Sequence, residues 1–329
     1  MAKANWLVLS VLVVLSLAAF AAAQSYTVTD LGPGAAHAIN NLGDVVVVNN
    51  SLSYLWTPTH SSQSLQPLPG GTHTAALGIN SHGEIVGESD GPGNYHTVLW
   101  REGNPHDLGT LPGGIFSAAN AVNATGEIAG TADTTQYGSE AMVWTQAMGM
   151  QGLGFLLGGN LSAAYAINRF GQVVGWSTVG NGGAYPFLWS KTTGMIALPL
   201  PTGSGGYAYA INDLGQIAGI EGCGIVCVHA VLWSKKGSFL DLGVLPRASV
   251  SYAYGINNVD QVVGASGYPT GNVHAFVWSS TSGMQDLNNM ISANTGWLLR
   301  SALAINASGQ IVGYGTLNGQ AEAFLLTPQ

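Results

Sequence analysis

The sequence predicts an all-β protein: a seven-bladed β-propeller of four-stranded antiparallel blades, closed by the N-terminal strand. Three observations carry that expectation. First, the pattern A-x-A-I-N-x-x-G-[QE]-[IV]-[VA]-G recurs seven times, with its asparagine at Asn40, Asn80, Asn123, Asn168, Asn212, Asn257 and Asn306. The steps are 40, 43, 45, 44, 45 and 49 residues, and a period of this size marks a repeat architecture. Second, each repeat reads as four short strands, the arithmetic of a propeller blade. Third, the two ends are complementary. Residues 26–32 read as a fourth strand with no other strands before it, and the chain stops straight after a third strand.

Repeat five shows the grammar. Residues 207–211 are small and apolar and form strand a. Asn212-Asp213-Leu214-Gly215 follows, with Asn at the first position and Gly at the fourth, the preference of a type I turn. The Asn side chain can bond its own backbone two residues on, and Gly supplies the positive φ that closes the hairpin. Residues 216–220 form strand b, residues 228–233 strand c and residues 239–243 strand d. The other repeats keep this order. Strand c ends at Trp56, Trp100, Trp144, Trp189, Trp233 and Trp278, and from repeat three to repeat six the Asn-to-Trp distance is always 21. Trp144, Trp189 and Trp233 are expected to be buried between blades. Strand d carries Asp-Leu-Gly or a variant, as at Asp107-Leu108-Gly109 and Asp241-Leu242-Gly243. If strand 27–31 pairs beside residues 323–326, every blade has its full set of strands and only short edges remain. A β-helix is the competing architecture, but the sharp N-x-x-G turns read as antiparallel hairpins.

Residues 1–23 read as a secretory signal peptide: Lys3, an apolar run from Trp6 to Phe20, then Ala21-Ala22-Ala23. The run is too short for a comfortable span, and no second run of that kind follows. The expected mature chain, 24–329, is a single propeller domain without a membrane span, secreted to the periplasm or the outside. Charged residues are only 7% of the chain, against about 25% in ordinary proteins. With acidic side chains in excess and no basic cluster beyond Lys235-Lys236, nucleic acid is not a partner. Cys223 and Cys227 are the two cysteines. In an exported protein this pair reads as a disulfide, with free thiols or a metal pair as alternatives.

The pattern resembles the HAF repeat family of extracellular bacterial proteins, named for the strand-c tripeptide seen here as His274-Ala275-Phe276. The resemblance covers essentially the whole mature chain. It extends to the terminal segment Gly296-Trp297, Ala304-Ile305-Asn306, Gly309-Gln310-Ile311-Val312-Gly313 and Ala323-Phe324-Leu325-Leu326-Thr327-Pro328. It implies export and repeat architecture and brings no catalytic residues. Val47 and Asp260 depart from the two motif glycines.

Most candidate chemistry is absorbed by the repeat. His96, His229 and His274 stand four residues before the strand-c Trp, where other repeats have Leu52, Glu140, Tyr185 and Glu322. A polar position repeated around a ring reads as a bond between strands of one blade, not as a metal site. No catalytic set, metal motif or cofactor fingerprint is present. The carboxylates outside the repeat are Glu88, Asp90, Glu102, Asp133 and Glu221. Asp90 and Asp133 fall three residues after the strand-b Gly in adjacent repeats, and glycoside hydrolysis needs two carboxylates about 5–10 Å apart. The variable b–c loops and the d–a linkers share one face, which holds the candidate ligand-binding residues Asp90, Asp133, Tyr137, Trp176 and Glu221. The sequence thus favours a monomeric, non-enzymatic binding or scaffold module with an extracellular ligand, glycan or protein. A carbohydrate-active hydrolase or lyase using the same face is the alternative.

Overall fold

Every repeat opens on the same turn, and the turn explains the strands around it. In the computed structural model, which describes residues 24–329 apart from 60, 92, 135–137, 181, 223–226 and 268–270, strand a of repeat five is Gly206–Ile211 and strand b is Ile217–Gly222. Between them the Asn212 side-chain oxygen accepts from the backbone N–H of Leu214 at 3.1 Å and of Gln216 at 2.9 Å. Gly215 takes φ +79° and donates to the Asn212 carbonyl. Repeat six has Asp260 at the glycine position, and Asp260 adopts φ +66°. Asp is among the few residues that tolerate this region, so the departure in the motif leaves the turn intact.

Strand c, Val228–Trp233, lies beside strand b, and strand d, Phe239–Asp241, beside strand c, all antiparallel. Among the described residues the sheets are four-stranded, except that repeats five and six are joined by one parallel bridge between Val228 and Val250. Among the described residues a single 3-10 turn, Leu287–Asn289, interrupts the strands. The last sheet contains both ends of the chain. Tyr26–Pro33 pairs antiparallel with Gln320–Pro328, placing Val28 opposite Leu326 and Asp30 opposite Phe324. The complementary chain ends noted in the sequence therefore meet as one sheet.

The core lies between sheets. Phe187 and Val173 of repeat four pack on Ala129, Ala141 and Val143 of repeat three. Leu31, Ala323 and Leu325 of the last sheet pack on Ala36, Val45 and Trp56 of the first. Burial of such side chains contributes about 1.5–3 kcal/mol each. Trp100 and Trp233 are completely buried, each indole N–H donating to a linker carbonyl, Gln66 and Pro199, at 2.7 and 2.8 Å. Trp144 and Trp189 are only half-buried, which corrects the expectation of full burial for them. Trp144 lines a cleft with Arg101 and Glu127.

The same asparagines tie sheet to sheet. Each side-chain amide donates to the backbone carbonyl of the next repeat's asparagine: Asn40 to Asn80, Asn80 to Asn123, Asn123 to Asn168, Asn168 to Asn212, Asn212 to Asn257 and Asn257 to Asn306. Asn306 then donates to Asn40 at 3.0 Å, so the series returns to its start. All seven are at most 5% exposed, so a lost partner is poorly replaced by water. Substituting Asn212→Ala should lower stability in chemical denaturation by about 3 kcal/mol, because it strands buried donors and an acceptor. A loss below about 1 kcal/mol would show that the asparagine series is incidental.

Candidate functional site

The site begins with a defect common to all the a strands. Each has a register shift at the same place, as between Ala164 and Ala166 or Ala208 and Ala210. The bulged residue is the unspecified x of A-x-A-I-N: His37, Leu77, Asn120, Tyr165, Tyr209, Tyr254 and Leu303. A bulge re-aims a side chain. In six repeats a strand-b glycine lets strand b approach this strand closely: a Cβ on Gly219 would come within 2.1 Å of the Tyr207 carbonyl oxygen. The alanine before each bulge is fully buried, whereas every bulged residue keeps partial exposure. The a strands of successive repeats touch one another, the seventh touching the first. At their turn ends, residues from every repeat line one recess of about 320 Å³. The bulged residues therefore stand around a common axis.

The axial wall is not symmetric. On repeats four to six it is aromatic. The Tyr165 and Tyr209 ring centroids are 5.3 Å apart, and those of Tyr209 and Tyr254 5.5 Å. Tyr207 stacks on Tyr209 at 6.0 Å and Tyr252 on Tyr254 at 6.1 Å, with interplanar angles of 8° and 5°. Trp176, on strand b of repeat four, meets Tyr207 edge-on at 5.8 Å and partly offsets the rise that burial gives the Tyr165 phenol. Burial pushes the Tyr254 phenol up to about 12, with Tyr314 and Tyr252 adding to the shift. Burial likewise raises Tyr209, reinforced by the neighbouring phenols Tyr165 and Tyr254. These phenols stay neutral donors, and besides burial only other phenols perturb them. Such a surface offers flat apolar faces edged with hydroxyls.

The residues singled out in the sequence land differently. Trp176 joins this wall. Asp90 does not: its carboxylate accepts from the backbone N–H of Thr72 and His73 and from the Thr72 hydroxyl. Burial works to raise its pKa, but these bonds together outweigh it and hold the carboxyl below its ordinary value. Asp133 likewise accepts from Ile115 and Phe116, both at 2.7 Å. Glu221, 5% exposed, accepts from the Thr202 N–H and hydroxyl at 2.8 Å. All three carboxylates tie the end of strand b to the d–a linker of their own repeat, and the structure does not bring them together as a pair. Tyr137 and Cys223 lie outside the described residues; Cys227 is disulfide-bonded.

The histidines pair within their sheets. His96 meets Asp107 at 3.0 Å, His229 meets Asp241 at 2.8 Å and His274 meets Asp286 at 2.7 Å, each joining strand c to strand d. One carboxylate stands apart. Glu88 holds the strand-b register of Trp176, opposite Ala75 as Trp176 is opposite Ala163. It is half-buried, and burial raises its carboxyl above the ordinary range, an effect that His73 offsets in part. His73 meets Tyr95 edge-on at 5.3 Å. Sequence reasoning missed Tyr165, Tyr209 and Tyr254. The signal was present: the one free position inside an otherwise fixed motif holds tyrosine in three consecutive repeats.

No family model matches the sequence, and no curated protein matches it. Solved structures do. Virginiamycin B lyase from Staphylococcus aureus superposes with a TM-score of 0.58 at 11% identity, over 92% of this chain and 99% of that one. A chain of the mitotic checkpoint complex gives 0.56 at 12% identity, over 98% of each. TolB from Acinetobacter baumannii gives 0.50 at 13% identity, over 70% of this chain and 57% of that one. At these identities the likeness is one of fold, and the fold is that of a β-propeller. Among the described residues no helix is long and apolar enough to cross a membrane.

A phenol whose folded pKa exceeds its unfolded value stabilises the fold fully below the unfolded value, near 10, and loses that contribution as pH rises toward the folded value. Phenolate absorbance of the folded protein should therefore be the same for the parent and Tyr254→Phe up to about pH 11, with divergence only on unfolding or above it. Earlier divergence would show that partial burial does not hold the Tyr254 phenol above its ordinary value.

Proposed function

We propose that this chain is an exported, monomeric, seven-bladed propeller of the HAF repeat kind that binds an extracellular ligand and performs no chemistry on it. The observation that carries the binding role is the aromatic wall on repeats four to six, a local break in a frame that otherwise repeats itself. Its Trp176 end lies on the face of the b–c loops, where strand b runs out toward Thr178. The returning series of asparagine bonds and the packing of the last sheet on the first support a closed ring. The leader-like residues 1–23 support export. The hydrolase or lyase reading is weaker, because Asp90 and Asp133 spend their carboxylates on backbone N–H groups.

Two measurements test this. Deleting residues 24–33 removes the fourth strand of the last blade, and the variant should oligomerise or unfold; a monomer with unchanged melting temperature would refute closure. For binding, the purified mature chain is screened against glycan and peptide arrays. A hit should be retained by Asp90→Asn and lost by the Tyr209→Ala/Tyr254→Ala double variant. Retention by the double variant would move the site off the axis.

A further inference from the structure

We propose that the axial wall takes a neutral saccharide, with sugar rings stacked on Tyr209 and Tyr254 and hydroxyls bonded to the free phenols and to Glu88. The inference rests on the axial binding site proposed above and adds the ligand class and a residue facing it.

Three observations select the class. The first is geometric. Tyr207 stacks parallel to Tyr209 and Tyr252 parallel to Tyr254, so consecutive repeats present paired rings, with Tyr209 and Tyr254 5.5 Å apart. Sugar rings have apolar C–H faces, and amphipathic aromatic rings match them: an apolar body with a polar tip. The second is the state of the hydroxyls. Among the described residues the oxygens of Tyr207, Tyr209, Tyr252 and Tyr254 neither make a hydrogen bond nor are sealed from solvent. A core of packed tyrosines would satisfy its hydroxyls internally; here they are left for a ligand. The third is charge. Besides burial, the groups acting on the Tyr209 and Tyr254 phenols are other tyrosines, with no carboxylate, lysine or arginine among them. Arg169 lines the recess at the turn ends, where it meets Asp213 at 4.0 Å, so the tyrosines themselves carry no paired cation for a phosphate, sulfate or uronate.

Glu88 supplies the opposite side. In a seven-membered ring, repeat two stands across from repeats five and six. Glu88 occupies the level of Trp176 on that repeat, and its carboxylate has no hydrogen-bond partner among the described residues. The same position is Thr131, Trp176, Ile220, Ala265 or Tyr314 elsewhere, so the frame does not require a carboxylate there. A carboxylate takes two hydroxyl donors of one sugar ring, a charge-assisted contact. His73 is the titratable neighbour that faces it.

The test is isothermal titration of the mature chain with defined neutral hexasaccharides: cellohexaose, chitohexaose, xylohexaose and maltohexaose, with oligogalacturonate and a tyrosine-rich peptide as contrasts. One neutral saccharide should bind at a single site, with Kd changing less than about twofold between low and high salt, because no charge is neutralised. Tyr209→Ala should weaken it about tenfold or more. Tyr209→Phe, which keeps the ring and preserves packing, should weaken it only about threefold. Glu88→Gln should weaken it about tenfold while leaving the melting temperature unchanged. Binding of none of the neutral saccharides would overturn the inference, as would a saccharide indifferent to both Tyr209 variants. If the peptide binds instead and Tyr209→Ala abolishes it, the saccharide class fails while the axial site stands. If a ligand binds with full affinity to Tyr209→Ala, the axial site fails too.

Discussion

One side chain per repeat holds the molecule together. The motif asparagine uses its oxygen to accept two backbone N–H groups of its own turn, and its amide to reach both the residue four ahead and the next repeat's carbonyl. A carboxylate could not donate, and a glutamine would place the amide one carbon too far out. The same atoms therefore shape the hairpin and fix the spacing between neighbouring sheets. Because the group is buried, the bonds cannot be exchanged for water. This explains why Asn stays constant through seven copies while its neighbours change.

A second set of polar groups works the same way at the other end of the sheets. Ser117, Ser162 and Ser251 stand at or next to the start of their a strands, fully buried, and each bridges to the previous repeat. The Ser117 hydroxyl accepts from the Thr97 N–H at 2.8 Å and donates to the Gly109 carbonyl at 2.7 Å. Ser162 and Ser251 repeat the arrangement on Ala141 and Ala230. With apolar faces between them, neighbouring sheets are registered at both ends. A frame determined this fully can carry variation at positions outside the packed core, and the bulged residue of strand a, partly exposed in every repeat, is such a position. The aromatic wall occupies it without disturbing the packing, since the flanking Ala164, Ala208 and Ala253 stay fully buried.

The sequence by itself determined the strand grammar, the turn chemistry and the meeting of the two chain ends. All three depend on short-range rules: period-two strands, Asn and Gly at fixed turn positions, and an unpaired strand at each terminus. It also determined that His96, His229 and His274 serve their own sheets, because a role repeated at one register position is architectural. What only the tertiary structure decided is where the non-repeating groups point. Asp90, Asp133 and Glu221 look free in the sequence and are bound to linker backbone, because the d–a linker folds back over the end of strand b. Trp144 and Trp189 share the register of Trp233 yet remain half-buried. Tyr165, Tyr209 and Tyr254 lie some 44 residues apart and touch only because the bulged strands gather at one axis. Residue spacing encodes the repeat; the contact between equivalent positions of different repeats exists only once the sheets have assembled.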